Sequence, residues 1–258
     1  TVNRAAVLPF PRVNRRAWLK GAGAVAVVAA GGLVWRAYDQ GVFAAGAGAA
    51  YEPWTSWRSD AAPGPLGLVR AGILAANPHN TQPWLFQVGA TRIEVFADIR
   101  RNLGAFDPYL REMHVGLGCA LENMTRTGRV LGYDVAVTLH PGLLAAAAAS
   151  PRPQPVATLA LFPARPRPDQ LVEAIPRRHT DRGAYAVGRP VPGEMLEAMW
   201  AAFQDDTDVR LFLFSASGER KQFGDLVLTA TEAIIADPEM VAASDRWFRH
   251  RWFDVQRK

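Results

Sequence analysis

Apolar positions recur along this chain in three rhythms. The first is an uncharged run, Gly21 to Trp35, closed by Lys20 on one side and Arg36 on the other. The second has helical spacing, with apolar residues three or four apart. Leu66, Val69, Ile73 and Leu74 predict a short helix over 66–76, which Pro78 ends. Leu110, Met113, Leu117, Leu121 and Met124 predict a long helix reaching Val130. Asp107-Pro108 would start it, with Asp as the cap and Pro in the first turn. Shorter helices are expected over Asp169–Arg177, Pro192–Gln204, Gly218–Ala236 and Ser244–Val255. The third rhythm belongs to strands. Trp84–Val88 and Arg92–Ala97 flank Gly89-Ala90-Thr91 as a hairpin, and Val135–Leu139 and Val156–Phe162 follow. Val209–Phe214 is nearly all apolar, the signature of a central strand. Proline-rich 51–65 reads as a linker or wrapping segment, and 141–155 as a loop. This mixture predicts an α+β fold with helices on both faces of a sheet.

Composition narrows the class. Hydrophobic residues make up 49% and charged residues 21%, an ordinary globular balance. The single Cys119 excludes an internal disulfide framework and any multi-thiolate zinc site. The net charge of +5 would suggest nucleic acid, but its location argues otherwise. Residues 1–50 hold six basic side chains against Asp39 alone, which leaves 51–258 with 23 of each sign. A neutral body does not hold a polyanion by charge, so no nucleic-acid partner is expected.

The basic leader looks like an address. Arg15-Arg16 followed by Trp18, Leu19 and Lys20, then the uncharged run, resembles a twin-arginine export signal. The run is shorter than the roughly 20 apolar residues a spanning helix needs and fits a signal hydrophobic region. Ala45-Gly46-Ala47 and Ala47-Gly48-Ala49 offer small-residue cleavage sites. Left uncut, the leader would tether the protein to the outer side of the inner membrane; cut, it would release it to the periplasm. The alternative is a cytoplasmic amphipathic arm. Thr1 in place of Met points to a partial reading frame.

Two loops could carry chemistry. Asn77-Pro78-His79-Asn80-Thr81-Gln82-Pro83-Trp84 sets amides and an imidazole between a helix and a strand. Amides donate and accept, which suits the edge of a heterocycle; the alternative is a turn that satisfies its own backbone. Arg177-Arg178-His179-Thr180-Asp181-Arg182 could grip a phosphate through guanidinium forks, or be a solvated basic turn. Other signals carry less. Gly116-Leu117-Gly118 lies inside a helix and is no dinucleotide fingerprint, so its glycines permit close packing or cofactor approach. The five histidines show no metal-ligand spacing, and no metal site is expected. Asp205-Asp206 reads as a solvated turn. Trp247, Phe248, Trp252 and Phe253 read as a core or interface stripe.

Together the loops resemble the nitroreductase superfamily of flavin enzymes. Asn80, Gln82, Pro83 and Trp84 match that family's Pro-Ser-x-x-Asn-x-Gln-Pro-Trp segment, with Asn77 at the serine position and Ala76 for the proline. Arg178, Thr180 and Arg182 match its Arg-x-Ser-x-Arg/Lys phosphate loop. Gly118-Cys119-Ala120-Leu121-Glu122-Asn123 is similar to its core-helix stretch, and Thr125–Thr127 depart from it. The matches span residues 66–210. The phosphate loop follows the tryptophan loop here, the reverse of the usual order. This is similar to a branch with two half-units fused into one chain, as is the series Asp98, Arg101, Asp107, Arg111 and Glu112.

The resemblance implies a leader over 1–50, a first unit over 51–168 and the start of a second over 169–258. It implies a three-layer α-β-α sandwich with a mixed, mainly antiparallel sheet and an incomplete second half, an internal pseudo-dimer. It also implies an FMN-dependent oxidoreductase that passes electrons from NAD(P)H to a nitroaromatic or quinone-like acceptor. Arg178, Thr180 and Arg182 would hold the phosphate. Asn77, Asn80 and Gln82 would face the ribityl chain or ring edge, and Trp84 would open a strand and pack the loop. The flavin would carry the chemistry, so no catalytic side chain is assigned. The rival readings are a flavin-holding protein without turnover and a structural protein that has lost its cofactor.

Overall fold

In a computed structural model of the chain, the described residues are 15–44, 48–57, 64–142, 152–186, 188–249 and 254. Side chains are described for these except 15–19 and 21–26. The expected cleavage site at 45–47, most of the 141–155 loop and Trp252-Phe253 therefore lie outside the described residues. The chain divides into two compact units, one formed by 1–52 with 249–258 and the other by 53–248.

In the first unit, α1 (Arg15–Asp39) runs unbroken through the apolar stretch. Its composition explains this: alanine and leucine favour helix, and no proline interrupts. Gly41, at φ 67°, ends it and leads into a turn over Val42–Ala44. Among the described residues, no helix is long and apolar enough to cross a membrane.

The second unit is built on four strands: β1 (Trp84–Val88), β2 (Arg92–Ala97), β3 (Tyr133–Leu139) and β4 (Gln154–Pro163). They pair antiparallel throughout in the order β1-β2-β4-β3. The hairpin stands where alternation placed it, with Trp84 opposite Ala97 and Val88 opposite Ile93. Alternation also decides the faces. Ile93, Val95 and Ala97 of β2 and Ala157, Leu159 and Leu161 of β4 are buried. Two helices cover that face, α3 (Pro65–Gly72) and α4 (Arg111–Val130), with Leu68, Leu121 and Met124 closing the core. The opposite face is open at Leu85, Gln87, Arg92, Asp134 and Thr138.

α3 and α4 pack against each other through small residues. A Cβ on Gly72 would stand 2.8 Å from the Met124 side chain, so glycine sets how closely they approach. Asn123 of α4 donates to the Ala71 carbonyl at 3.0 Å. A separate cluster joins Ala71 and Leu74 to Val172 and Ile175, with Trp54 and Trp57 packed on it. The tryptophans belong to α2 (Glu52–Ser56) and the turn after it, so this stretch wraps the core. Val172 lies on α5 (Gln170–Ala174) and Ile175 on the turn Ile175–Arg177. Asp169 caps α5 by accepting from Leu171 N–H, and Arg126 of α4 donates to the same carboxylate at 3.0 Å. Burial opposes that charge, but the Leu171 bond and the Arg126 guanidinium outweigh it and hold Asp169 below the ordinary carboxylate range.

Three expectations are corrected. Val209–Phe214 forms no strand; Val209, Phe212 and Phe214 are exposed. An apolar run becomes a strand only with a neighbour to satisfy its backbone, and none pairs with it among the described residues. The long helix starts at Arg111, not Pro108, because Leu110 takes a left-handed conformation at φ 53°. Asp107 still caps it, accepting from Glu112 N–H at 3.0 Å and Met113 N–H at 3.2 Å. α8 (Pro238–Asp245) is started by Asp237 through bonds from Glu239 and Met240, and the chain turns at Arg246 and Trp247, so the helix expected over 244–255 is not continuous there; residues 250–253 and 255 lie outside the described residues. Before α8 lie α6 (Gly193–Ala201) and α7 (Ser217–Ala236), whose apolar side chains, including Met199, Trp200, Leu226 and Leu228, stay exposed.

Candidate functional site

The amide-rich loop lies between α3 and β1. Its backbone is unusual. His79, Asn80 and Gln82 have φ of 48°, 54° and 49°. Left-handed geometry costs a residue with a Cβ about 1–2 kcal/mol. Three such residues within four positions persist only because the surroundings fix them.

Several contacts do so. Asn77 uses both ends of its amide, accepting from Gln82 N–H at 2.8 Å and donating to the Ala75 carbonyl at 3.1 Å. Thr81 is fully buried, and Arg101 donates to its carbonyl at 3.1 Å. Arg101 is itself placed by the turn over Ile99–Arg101. Asp98 caps that turn and pairs with Arg100, whose guanidinium holds the carboxyl below its ordinary range despite burial. Asp98 N–H also donates to the Pro83 carbonyl at 2.9 Å. Trp84 is 7% exposed and anchors the loop's far end in the core.

α4 supplies the floor. A Cβ on Gly116 would stand 3.2 Å from Asn77 Cβ and 3.3 Å from Pro78 Cδ, so the loop lies directly on this glycine. From above, His79 bonds Ser244 Oγ at 2.8 Å and meets Phe106 and Phe248 edge-on, at centroid distances of 5.1 and 5.9 Å. α8 is thus fastened over the loop, helped by Arg246 donating to the Asn102 carbonyl at 2.9 Å.

The guanidinium-rich loop comes near through its first member. Arg178 donates to the Leu74 carbonyl at 3.3 Å, three residues before Asn77, and its guanidinium lies 5.6 Å from the Trp54 ring centre. The His179 ring lies tilted against the same tryptophan, with centroids 4.6 Å apart. Thr180 and Arg182 are exposed, and Asp181 turns the chain by accepting from Gly183 N–H at 2.8 Å. Asn80 is exposed and Gln82 is exposed; Gln82 reaches Asn80 Oδ1 only at 3.5 Å, so both amides keep bonding capacity. Of the six expected cofactor residues, then, Asn80, Gln82, Thr180 and Arg182 are exposed donors, Arg178 bridges toward the other loop, and Asn77 is committed to holding the turn.

A cavity of about 520 Å³ opens beside this loop. Ala76, Asn77 and Pro78 form one wall, Val115, Gly116 and Cys119 of α4 the floor, and Phe106 to Tyr109 with Arg111 and Glu112 the far side. None of Arg178, Thr180 and Arg182 lines it. Burial is the main reason the Glu112 carboxyl titrates above its ordinary range; neighbouring Asp107 adds to the shift and His79 opposes it. The spacing 111, 115, 119 and 112, 116 was a legible signal: these residues share one face of α4, apart from the buried face of Met113, Leu117 and Met124. Ser244 and Phe248 carry no such signal.

No protein-family model matches the sequence. Over 139 residues the chain is 35% identical to "Putative NAD(P)H nitroreductase Rv3131" of Mycobacterium tuberculosis strain H37Rv, and equally to its counterpart MT3217 in strain CDC 1551. The match takes in 52% of this chain and 37% of each relative, so it spans just over a third of the relatives' length.

The Gly116 contact yields a prediction. Gly116→Val forces methyl groups against Asn77 and Pro78 and is expected to destabilise by about 1–3 kcal/mol. Gly118→Ala, where a Cβ meets nothing within 4 Å, gains about 0.5–1 kcal/mol of helix preference instead. Urea unfolding checks this; equal midpoints for the two variants would contradict it.

Proposed function

We propose that this chain is part of a nitroreductase-type flavin oxidoreductase that takes electrons from NAD(P)H and passes them to a nitroaromatic or quinone-like acceptor. The observation that supports it most is the bond from Arg178 to the Leu74 carbonyl. It ties Arg178 of the guanidinium-rich loop to a carbonyl 104 residues away, three residues ahead of Asn77 in the amide-rich loop. The similarity to proteins named as NAD(P)H nitroreductases supports the same reading.

The donors suit FMN. Arg178, Thr180 and Arg182 offer two guanidinium forks and a hydroxyl to a phosphate. Asn80 and Gln82 offer amides to a ring edge, and Asn77 keeps their backbone in place. When bound, FMN supplies two-electron transfer between the nicotinamide donor and the acceptor. The protein's contribution is placement: left-handed backbone at His79, Asn80 and Gln82 accompanies the exposure of both amides, while α4 and α8 hold that loop from two sides. Residues 169–258 are read as part of a second half-unit, a reading supported by the apolar faces of α6 and α7, which need a covering layer. The open face of the sheet would carry the third layer of the sandwich.

The experiment is the absorbance spectrum of the purified full chain, with the released chromophore identified after denaturation. A flavin spectrum and FMN are expected. Arg178→Ala should weaken retention about tenfold or more, since one charge-assisted hydrogen bond contributes about 1.5–3 kcal/mol. Bleaching by NADH or NADPH and recolouring by a quinone separates turnover from simple flavin holding. A colourless wild type, or a spectrum unchanged by Arg178→Ala, would overturn the assignment.

The leader we read as a twin-arginine signal that exports the folded, cofactor-loaded protein. Fusing residues 1–50 to a reporter tests it: replacing Arg15 and Arg16 by lysine should block export. Export that survives this change would refute the route.

A further inference from the structure

The cavity beside the amide loop carries a second reading, independent of whether flavin binds. We infer that it is a binding site for a small aromatic cation, an amidinium or pyridinium ring, held between apolar walls with its positive end at Glu112. The walls suit a flat ring. Val115 of the floor and Pro78 of the wall present apolar groups, and Phe106 adds a ring to the lining. A volume of about 520 Å³ is in the range of small-molecule pockets.

The charge open to a ligand depends on which groups already have a partner. Asp107 is buried, and its Oδ2 accepts from Glu112 and Met113 N–H, so its charge serves the N-terminus of α4. Asn77 is committed to its turn. Glu112 is the other carboxylate on the wall, on the adjoining turn of the same helix face as Gly116. Arg111 also lines the cavity and offsets one negative charge, leaving a net of about one with both carboxylates ionised. A cation placed there gains from Glu112 and, at longer range, from Asp107. An anion of the same shape meets two carboxylates.

Cys119 makes the idea measurable. It lines the same cavity, is partly exposed and is the only cysteine in the chain. Alkylation by N-ethylmaleimide would be followed in the full chain, freed of any flavin, with benzamidine or benzoate present. Benzamidine should slow the reaction about fivefold at saturation-limited millimolar concentrations, the scale set by one partly exposed ion pair, while benzoate leaves it unchanged. Glu112→Gln should cancel the protection, and Arg111→Gln, which removes the competing charge, should strengthen it. Equal protection by both compounds, no protection, or protection that survives Glu112→Gln would overturn the inference. Because no flavin takes part, such a failure leaves the oxidoreductase proposal standing, and a colourless protein leaves this one standing.

Discussion

The site depends on one close approach: the backbone at Asn77–Pro78 resting on Gly116 of α4. A helix surface normally keeps its neighbours away by the length of its side chains. Here a glycine removes that spacer, and the loop settles onto the helix at van der Waals distance. The consequences run outward. The loop turns sharply enough to need three left-handed residues, His79 is lifted toward Ser244, and Trp84 drops into the core to open β1. The cavity opens beside this contact, with Asn77, Pro78 and Gly116 all in its lining.

Supports of different kinds then hold a conformation the chain would not adopt alone. The Gln82 N–H bond to Asn77 Oδ1 closes the turn, Arg101 satisfies the buried Thr81 carbonyl, and His79 is held by Ser244 of α8 and by the edges of Phe106 and Phe248. Strain of this kind needs over-determination, and the redundancy of these contacts supplies it. Arg178 adds a support from a distant part of the chain. If a ligand shares that guanidinium, occupancy and loop order are linked.

Local chemistry made much of this legible. Period-two alternation and a Gly-containing turn placed the hairpin, and helical spacing placed α3 and the end of α4 at Val130. Trp84 was readable as an anchor because its size favours burial. What failed depended on partners remote in sequence. Val209–Phe214 has strand composition, but composition cannot provide a neighbouring strand. The start of α4 slipped by a turn because the left-handed Leu110 has no local signature. Asn77, read as a cofactor residue, bonds the Ala75 carbonyl and the Gln82 N–H in this structure. The contact from His79 to Ser244 bridges 165 residues, and nothing near either residue announces it.

Arg178 couples the guanidinium-rich loop to the backbone just ahead of the amide-rich loop, and amide hydrogen exchange reads that coupling. In the full chain, replacing Arg178 by alanine should raise exchange across residues 75–82 while β2 and β4 keep their protection. Exchange at 75–82 that does not change, with Arg178 removed and the fold intact, would show that the loops are neighbours without coupling and would contradict the account.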